Sequence, residues 1–142
     1  IITRTFSKAY GLAGLRVGYS LCSPLIADFI NRVREPFNVN FTAQVAAIAA
    51  LKDDDYLSES IKVNSDGYEQ LGECFKSLHL NFIPSHANFI AVEFDDAMDI
   101  YNALLKEGVI VRPVEMSGYL RISIGTFEEN AHLIAALNKI LC

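Results

Sequence analysis

The sequence has no tryptophan, only three cysteines and four prolines, and no run rich in lysine or arginine. Each scarcity excludes something. Cys22, Cys74 and Cys142 are odd in number, far apart and form no CxxC pair, which argues for a reducing compartment over a disulfide framework. Twelve Lys and Arg against seventeen Asp and Glu leave a net charge of −5. No basic stripe exists to neutralise phosphates, so nucleic acid is not an expected partner. Nothing reads as a membrane span or a signal peptide, so no membrane partner is expected and the expected location is the cytoplasm. His79, His86 and His132 lack metal-ligand spacing, and no metal is expected.

What is present points to a folded chain. Hydrophobic residues make up 51% and charged residues 20% of 142, enough for one ordinary domain and too apolar for disorder. The chain opens without Met on the apolar, β-rich "IITRTF". Such a strand needs neighbours on both sides. The expectation is a C-terminal piece of a larger protein, the alternative being a processed chain that starts on an edge strand.

Residues 1 to 6 and 15 to 22 read as short buried strands around a glycine-rich turn. "SPLIADFINRVRE" reads as a helix capped by Ser23, with Leu25, Ile26, Phe29, Ile30 and Val33 on one apolar face, broken at Pro36. An Ala-rich helix is expected from Thr42 to about Leu51. After "KDDD" a second helix carries a stripe of Leu57, Ile61, Asn64, Tyr68, Leu71, Phe75 and Leu78. That stripe suits a coiled-coil seam less well than packing on a sheet, because Asn64, Gly67 and Gly72 interrupt it. The last third alternates: strand "ANFIAVEF", a helix capped by Asp95 or Asp96 and ended by Gly108, strands "VIVRP" and "YLRISIG", and a final helix with Thr126 and Glu129 as a capping box. The fold class is α/β, with an antiparallel hairpin.

Two patterns carry chemistry. In "YLRISIG", Tyr119, Arg121 and Ser123 share one face, and one register with "VIVRPV" sets Arg112 opposite Arg121. Like charges directly opposed destabilise a sheet, and an anion gripped between them converts the penalty into binding. The alternative is a pair of solvated edge arginines. The second pattern is "TFSKAYGLAGLRVGY". Its Ser7 precedes Lys8, the reverse of a phosphate-binding P-loop, and Gly11, Gly14 and Gly18 do not spell GxGxxG. A Ser/Lys hydrolase dyad lacks supporting motifs. What remains is a Schiff-base lysine in a sparingly hydrated turn, with Ser7 and Arg16 as donors to the phosphate of pyridoxal phosphate.

"TFSKAYGLAGLRVGY", followed by "REPFNVN", "ANFI", "VIVRP" and "LRISIGT", is similar to the C-terminal part of the histidinol-phosphate aminotransferase family, pyridoxal-phosphate-dependent transferases of fold type I. The resemblance covers essentially the whole chain. It implies that Lys8 carries the cofactor, that Ser7 and Arg16 contact its phosphate, and that Arg121 and Arg112 receive the acidic end of the substrate. It further implies that residues 1–36 end the large cofactor-binding domain and that 37–142 are linking helices and the small α/β domain. The implied reaction moves an amino group between histidinol phosphate and 2-oxoglutarate, in a homodimeric parent. The acidic partner of the pyridine nitrogen lies upstream of the lysine in that family, so the isolated chain is expected to be incomplete and inactive. The alternatives are an aromatic amino-acid aminotransferase, a threonine-phosphate decarboxylase, or a non-catalytic α/β fragment serving assembly.

Overall fold

The computed structural model describes residues 1–141; Cys142 lies outside the described residues. By packing, the chain divides into two units, Ile1–Ile61 and Lys62–Cys142. In the first unit β1 (Ile2–Thr5) pairs antiparallel with β2 (Gly18–Leu21), with Ile2 opposite Leu21 and Thr5 opposite Gly18. Gly18 is required there: a Cβ would lie 2.6 Å from the Arg4 carbonyl oxygen. Helix α1 (Pro24–Val33) starts where Ser23 accepts a hydrogen bond from the Ile26 amide (3.4 Å). Helix α2 (Phe41–Ala50) is capped by Asn40, which accepts from the Ala43 amide (2.8 Å). Asp53 of "KDDD" performs the same task for α3 (Asp54–Ser77), accepting from the Tyr56 amide at 3.0 Å.

The expectation that residues 1 to 6 and 15 to 22 form buried strands is corrected. Every residue of β1 and β2 is exposed, because this sheet has two strands and only Phe6, Ala43 and Ala47 are buried hydrophobics within the first unit. The apolar face of α1 forms as the spacing predicts, yet Leu25, Phe29 and Val33 are all exposed.

The second unit holds the core. Its sheet runs β3 (Phe82–Ile83), β4 (Phe89–Glu93), β6 (Tyr119–Ser123), β5 (Arg112–Pro113), antiparallel throughout. Alternation sends Ile90, Val92, Leu120 and Ile122 to one side, where they meet Leu71 and Phe75 of α3, Leu104 of α4 (Ala97–Lys106), and Leu133, Ala136 and Leu137 of α5 (Phe127–Leu141). Each large side chain buried there contributes about 1.5–3 kcal/mol. The α3 stripe therefore packs on a sheet, as its interruptions suggest.

Local signals place the helix ends. Asp96, of the two candidates, caps α4 by accepting from the Asp99 amide (3.2 Å). Gly108, at φ 77°, closes the helix while the Val109 amide donates to the Leu104 carbonyl (2.9 Å). Thr126 and Glu129 exchange hydrogen bonds at 2.8 and 3.3 Å, the reciprocal capping box of α5. One expectation shifts: "VIVRP" contributes only Arg112–Pro113 to the ladder. β3 is a two-residue pairing that the sequence does not mark, and Leu105 and Leu141 are exposed at the margins of their helical faces.

Candidate functional site

Lys8 lies in the loop that joins β1 to β2. The loop is closed by backbone bonds: the Phe6 amide donates to the Val17 carbonyl (3.2 Å), and the Leu12 amide to the Phe6 carbonyl (2.9 Å). Inside it the Gly11 amide donates to the Lys8 carbonyl (2.8 Å), making a tight turn directly after the lysine. Gly11 takes φ 69°, and a Cβ there would meet the Tyr56 hydroxyl at 2.5 Å. Phe6 is the anchor, 3% exposed, with its ring 4.9 Å from that of Tyr10 and 5.9 Å from that of Tyr19. Tyr10 thus packs against it.

Within this unit the loop carries Ser7 half-buried and Lys8 and Arg16 exposed. The expectation of a sparingly hydrated turn at Lys8 is corrected, since Lys8 is exposed and Phe6 is the buried residue of the loop. No acid of the described residues pairs with Lys8 or Arg16. Arg16 sits at φ 53°, a left-handed conformation that closes a short 3₁₀ turn, and its guanidinium donates to the Ala13 carbonyl at 2.9 Å. The loop therefore offers the Lys8 amine, the Ser7 hydroxyl and the Arg16 guanidinium without a competing carboxylate. That donor set fits pyridoxal phosphate, whose aldehyde needs an amine and whose phosphate needs hydroxyl and cationic donors.

The second cluster lies on the face of the four-stranded sheet opposite the core. Arg112 and Arg121 are paired residues, the register anticipated from alternation. Ala91 lies across from Arg121, Phe89 across from Ser123 and Glu93 across from Tyr119. Arg112 is exposed at the edge and Arg121 half-buried. No acidic side chain of the described residues pairs with either one. The Arg121 Nε is buried without a hydrogen-bond partner, and its guanidinium carbon lies 4.9 Å from the centroid of the Phe89 ring. Phe89 lies on this face and not in the core, a placement legible only once β4 and β6 are in register.

Other polar groups have structural tasks. Asn64 donates to the Ala87 carbonyl (3.3 Å), and His132 Nε2 lies 3.1 Å from the Glu107 carbonyl. Asn38 accepts from Arg34 (3.3 Å), and the Asn88 carbonyl accepts from the Ile124 amide (3.0 Å). Burial pushes the Cys74 thiol above its ordinary value. Among the described residues no three His, Cys, Asp or Glu side chains gather as metal ligands, and no helix is long and apolar enough to cross a membrane.

The first unit thus carries an exposed amine in a closed turn, and the second a sheet face with two paired arginines. Residues 1–137 match the family described as aminotransferase class I and II, and the chain belongs to that family. It is 56% identical over 99% of its length to histidinol-phosphate aminotransferase 2 of Pseudomonas aeruginosa, covering 39% of that protein. Against histidinol-phosphate aminotransferase of Methylobacillus flagellatus the identity is 52%, with the same two coverages. The crystal structure of histidinol-phosphate aminotransferase from Sinorhizobium meliloti, in complex with pyridoxal-5'-phosphate, superposes with a TM-score of 0.86 at 33% identity, over 98% of this chain and 40% of that one. The chain thus spans about two fifths of the length of the curated relatives it matches.

Proposed function

We propose that this chain is part of a pyridoxal-phosphate-dependent aminotransferase of histidine biosynthesis that takes histidinol phosphate as amino donor and 2-oxoglutarate as acceptor. The observation that carries the reading is its identity, 52–56% along 99% of its length, to proteins named histidinol-phosphate aminotransferase. Bound pyridoxal phosphate supplies an aldehyde that captures amines and a ring that takes up the electron pair left when a neighbouring carbon loses its proton.

In this reading Lys8 anchors the cofactor through Nζ and, once displaced by the substrate amine, removes the proton from the substrate Cα. Ser7 and Arg16 grip the phosphate. The tight turn after Lys8 and the backbone bonds that close the loop hold these three groups in one short segment. Arg121 and Arg112 receive the acidic end of the substrate, the guanidinium pair matching the charge and planarity of a phosphate or carboxylate. Residues 1–36 complete the large cofactor-binding domain and 37–142 supply linking helices and the small domain of a cytoplasmic, homodimeric parent.

Reduction with borohydride after incubation of the chain with pyridoxal phosphate, followed by peptide mapping, tests the assignment. The label is expected on Lys8 ahead of Lys52, Lys62, Lys76, Lys106 and Lys139, and Arg16→Ala is expected to weaken it at limiting cofactor. A label spread evenly over the six lysines, or none at Lys8, overturns it.

A further inference from the structure

We infer that Phe89 is a positioning residue for Arg121: its ring carries the guanidinium plane in place of an acid, leaving the N–H edges of Arg121 free for an anion. The inference rests on the reading of Arg121 as the receiver of the substrate's acidic end. Phe89 does not belong to the core. It lies on the sheet face opposite Ile90 and Val92, and it is absent from the hydrophobic cluster that those residues form. Directly opposite Ser123, it is the diagonal neighbour of Arg121, a separation that an aromatic ring and a long side chain bridge. The observed contact, 4.9 Å from guanidinium carbon to ring centroid, is within cation–π range.

The choice of partner has a chemical consequence. A carboxylate beside Arg121 would occupy its forked donors and cancel its charge. A ring attracts the same cation through its face and takes no donor. No acid of the described residues pairs with Arg121, and its buried Nε has no hydrogen-bond partner, so no protein acceptor occupies that donor. The ring also offsets part of the repulsion from Arg112, which the register sets directly across the ladder. The backbone that bears Phe89 is pinned on its N-terminal side. Asn64 donates to the Ala87 carbonyl at 3.3 Å, the Ala87 amide donates to Ser85 Oγ at 3.0 Å, and the Ile124 amide donates to the Asn88 carbonyl at 3.0 Å. A ring so held fixes the guanidinium plane before any ligand arrives, which lowers the ordering cost of binding.

The test uses the full chain labelled with nitrogen-15, observing arginine Nε–H resonances during a titration with inorganic phosphate. Arg121→Lys identifies the Arg121 signal. In the unsubstituted chain this signal is expected to be displaced by the ring current of Phe89 and to move further as phosphate binds. Phe89→Leu is expected to remove the displacement and weaken phosphate binding about three- to tenfold, while Phe89→Tyr restores both. A merely structural role for Phe89 would not move the ring-current signature with the affinity. If phosphate binds and Phe89→Leu binds it equally tightly, the positioning role is overturned and the anion reading stands. If the Arg121 signal is ring-displaced and phosphate leaves it unmoved, the anion reading fails and takes the inference with it. Should the leucine variant not fold, a wild-type Arg121 signal with no ring displacement is itself sufficient to refute the contact.

Discussion

Two glycines of one helix give opposite expectations for the same substitution. Gly67 and Gly72 are both buried on α3, and replacing either by alanine recovers about 1 kcal/mol of helix propensity. At Gly72 the new methyl meets nothing nearer than the Phe82 ring edge at 3.8 Å, an ordinary contact, so the gain stands. At Gly67 the methyl would lie 2.6 Å from the Ile124 Cγ2, 2.8 Å from the Asn130 amide nitrogen and 3.2 Å from the Gly125 carbonyl oxygen. Those neighbours do not yield easily. Ile124 is β-branched, and the Asn130 amide is tied to the Gly125 peptide at both ends (2.9 and 3.2 Å). Overpacking of this kind costs about 1–3 kcal/mol, and loosening one of the Asn130 bonds costs about 1 kcal/mol more. The balance is a loss of about 1–3 kcal/mol for Gly67→Ala and a gain of about 1 kcal/mol for Gly72→Ala. Urea unfolding followed by far-ultraviolet circular dichroism reads both midpoints against wild type. If both variants shift the same way, the tightness ascribed to the junction of α3 with the β6–α5 turn is wrong.

The same junction supplies a second expectation. Asn130→Ala strips the buried amide from both backbone groups of Gly125, and the protein should lose about 2–4 kcal/mol; a loss under about 0.5 kcal/mol would show that water replaces the amide without penalty. A third concerns thiols. Because the Cys74 thiol is raised by burial, the unfolded chain gives up that proton first as pH climbs. Its stabilising contribution is therefore full below the unfolded value and drains away as pH rises through the folded one. Alkylation with iodoacetamide at about pH 8 should reach half-buried Cys22 ahead of Cys74, and equal rates on the two peptides would contradict it.

Much of the second unit was legible because its signals are local. Asp96, Gly108 and the Thr126–Glu129 pair act within one turn of the helix ends they set, so spacing alone locates them. The α3 stripe names its own buried members, Leu71 and Phe75, by period. The opposition of Arg112 and Arg121 was readable because alternation has only two phases. What escaped depends on contacts distant in sequence. Phe89 and Arg121 are brought together by β4–β6 pairing, and nothing in "ANFI" distinguishes a ring for the core from a ring for a cation. Asn130 looks like any polar residue on a helix until the turn at Gly125 folds back onto it. The exposure of β1 and β2 was misjudged for a related reason: composition reports that a strand wants cover, not which segment provides it.

The spacing of the two guanidiniums hangs on very little. β5 meets its neighbour at two positions, one of them a proline that donates nothing to the ladder, so residues 114–118 act as the spacer that sets the phase of Arg112. Adding or removing a single residue there would turn that arginine to the core side of the sheet and leave Arg121 without a paired guanidinium. Connector length is thus a dial that decides whether the two cations share a face, and turning it would also swing Val111 out of the core.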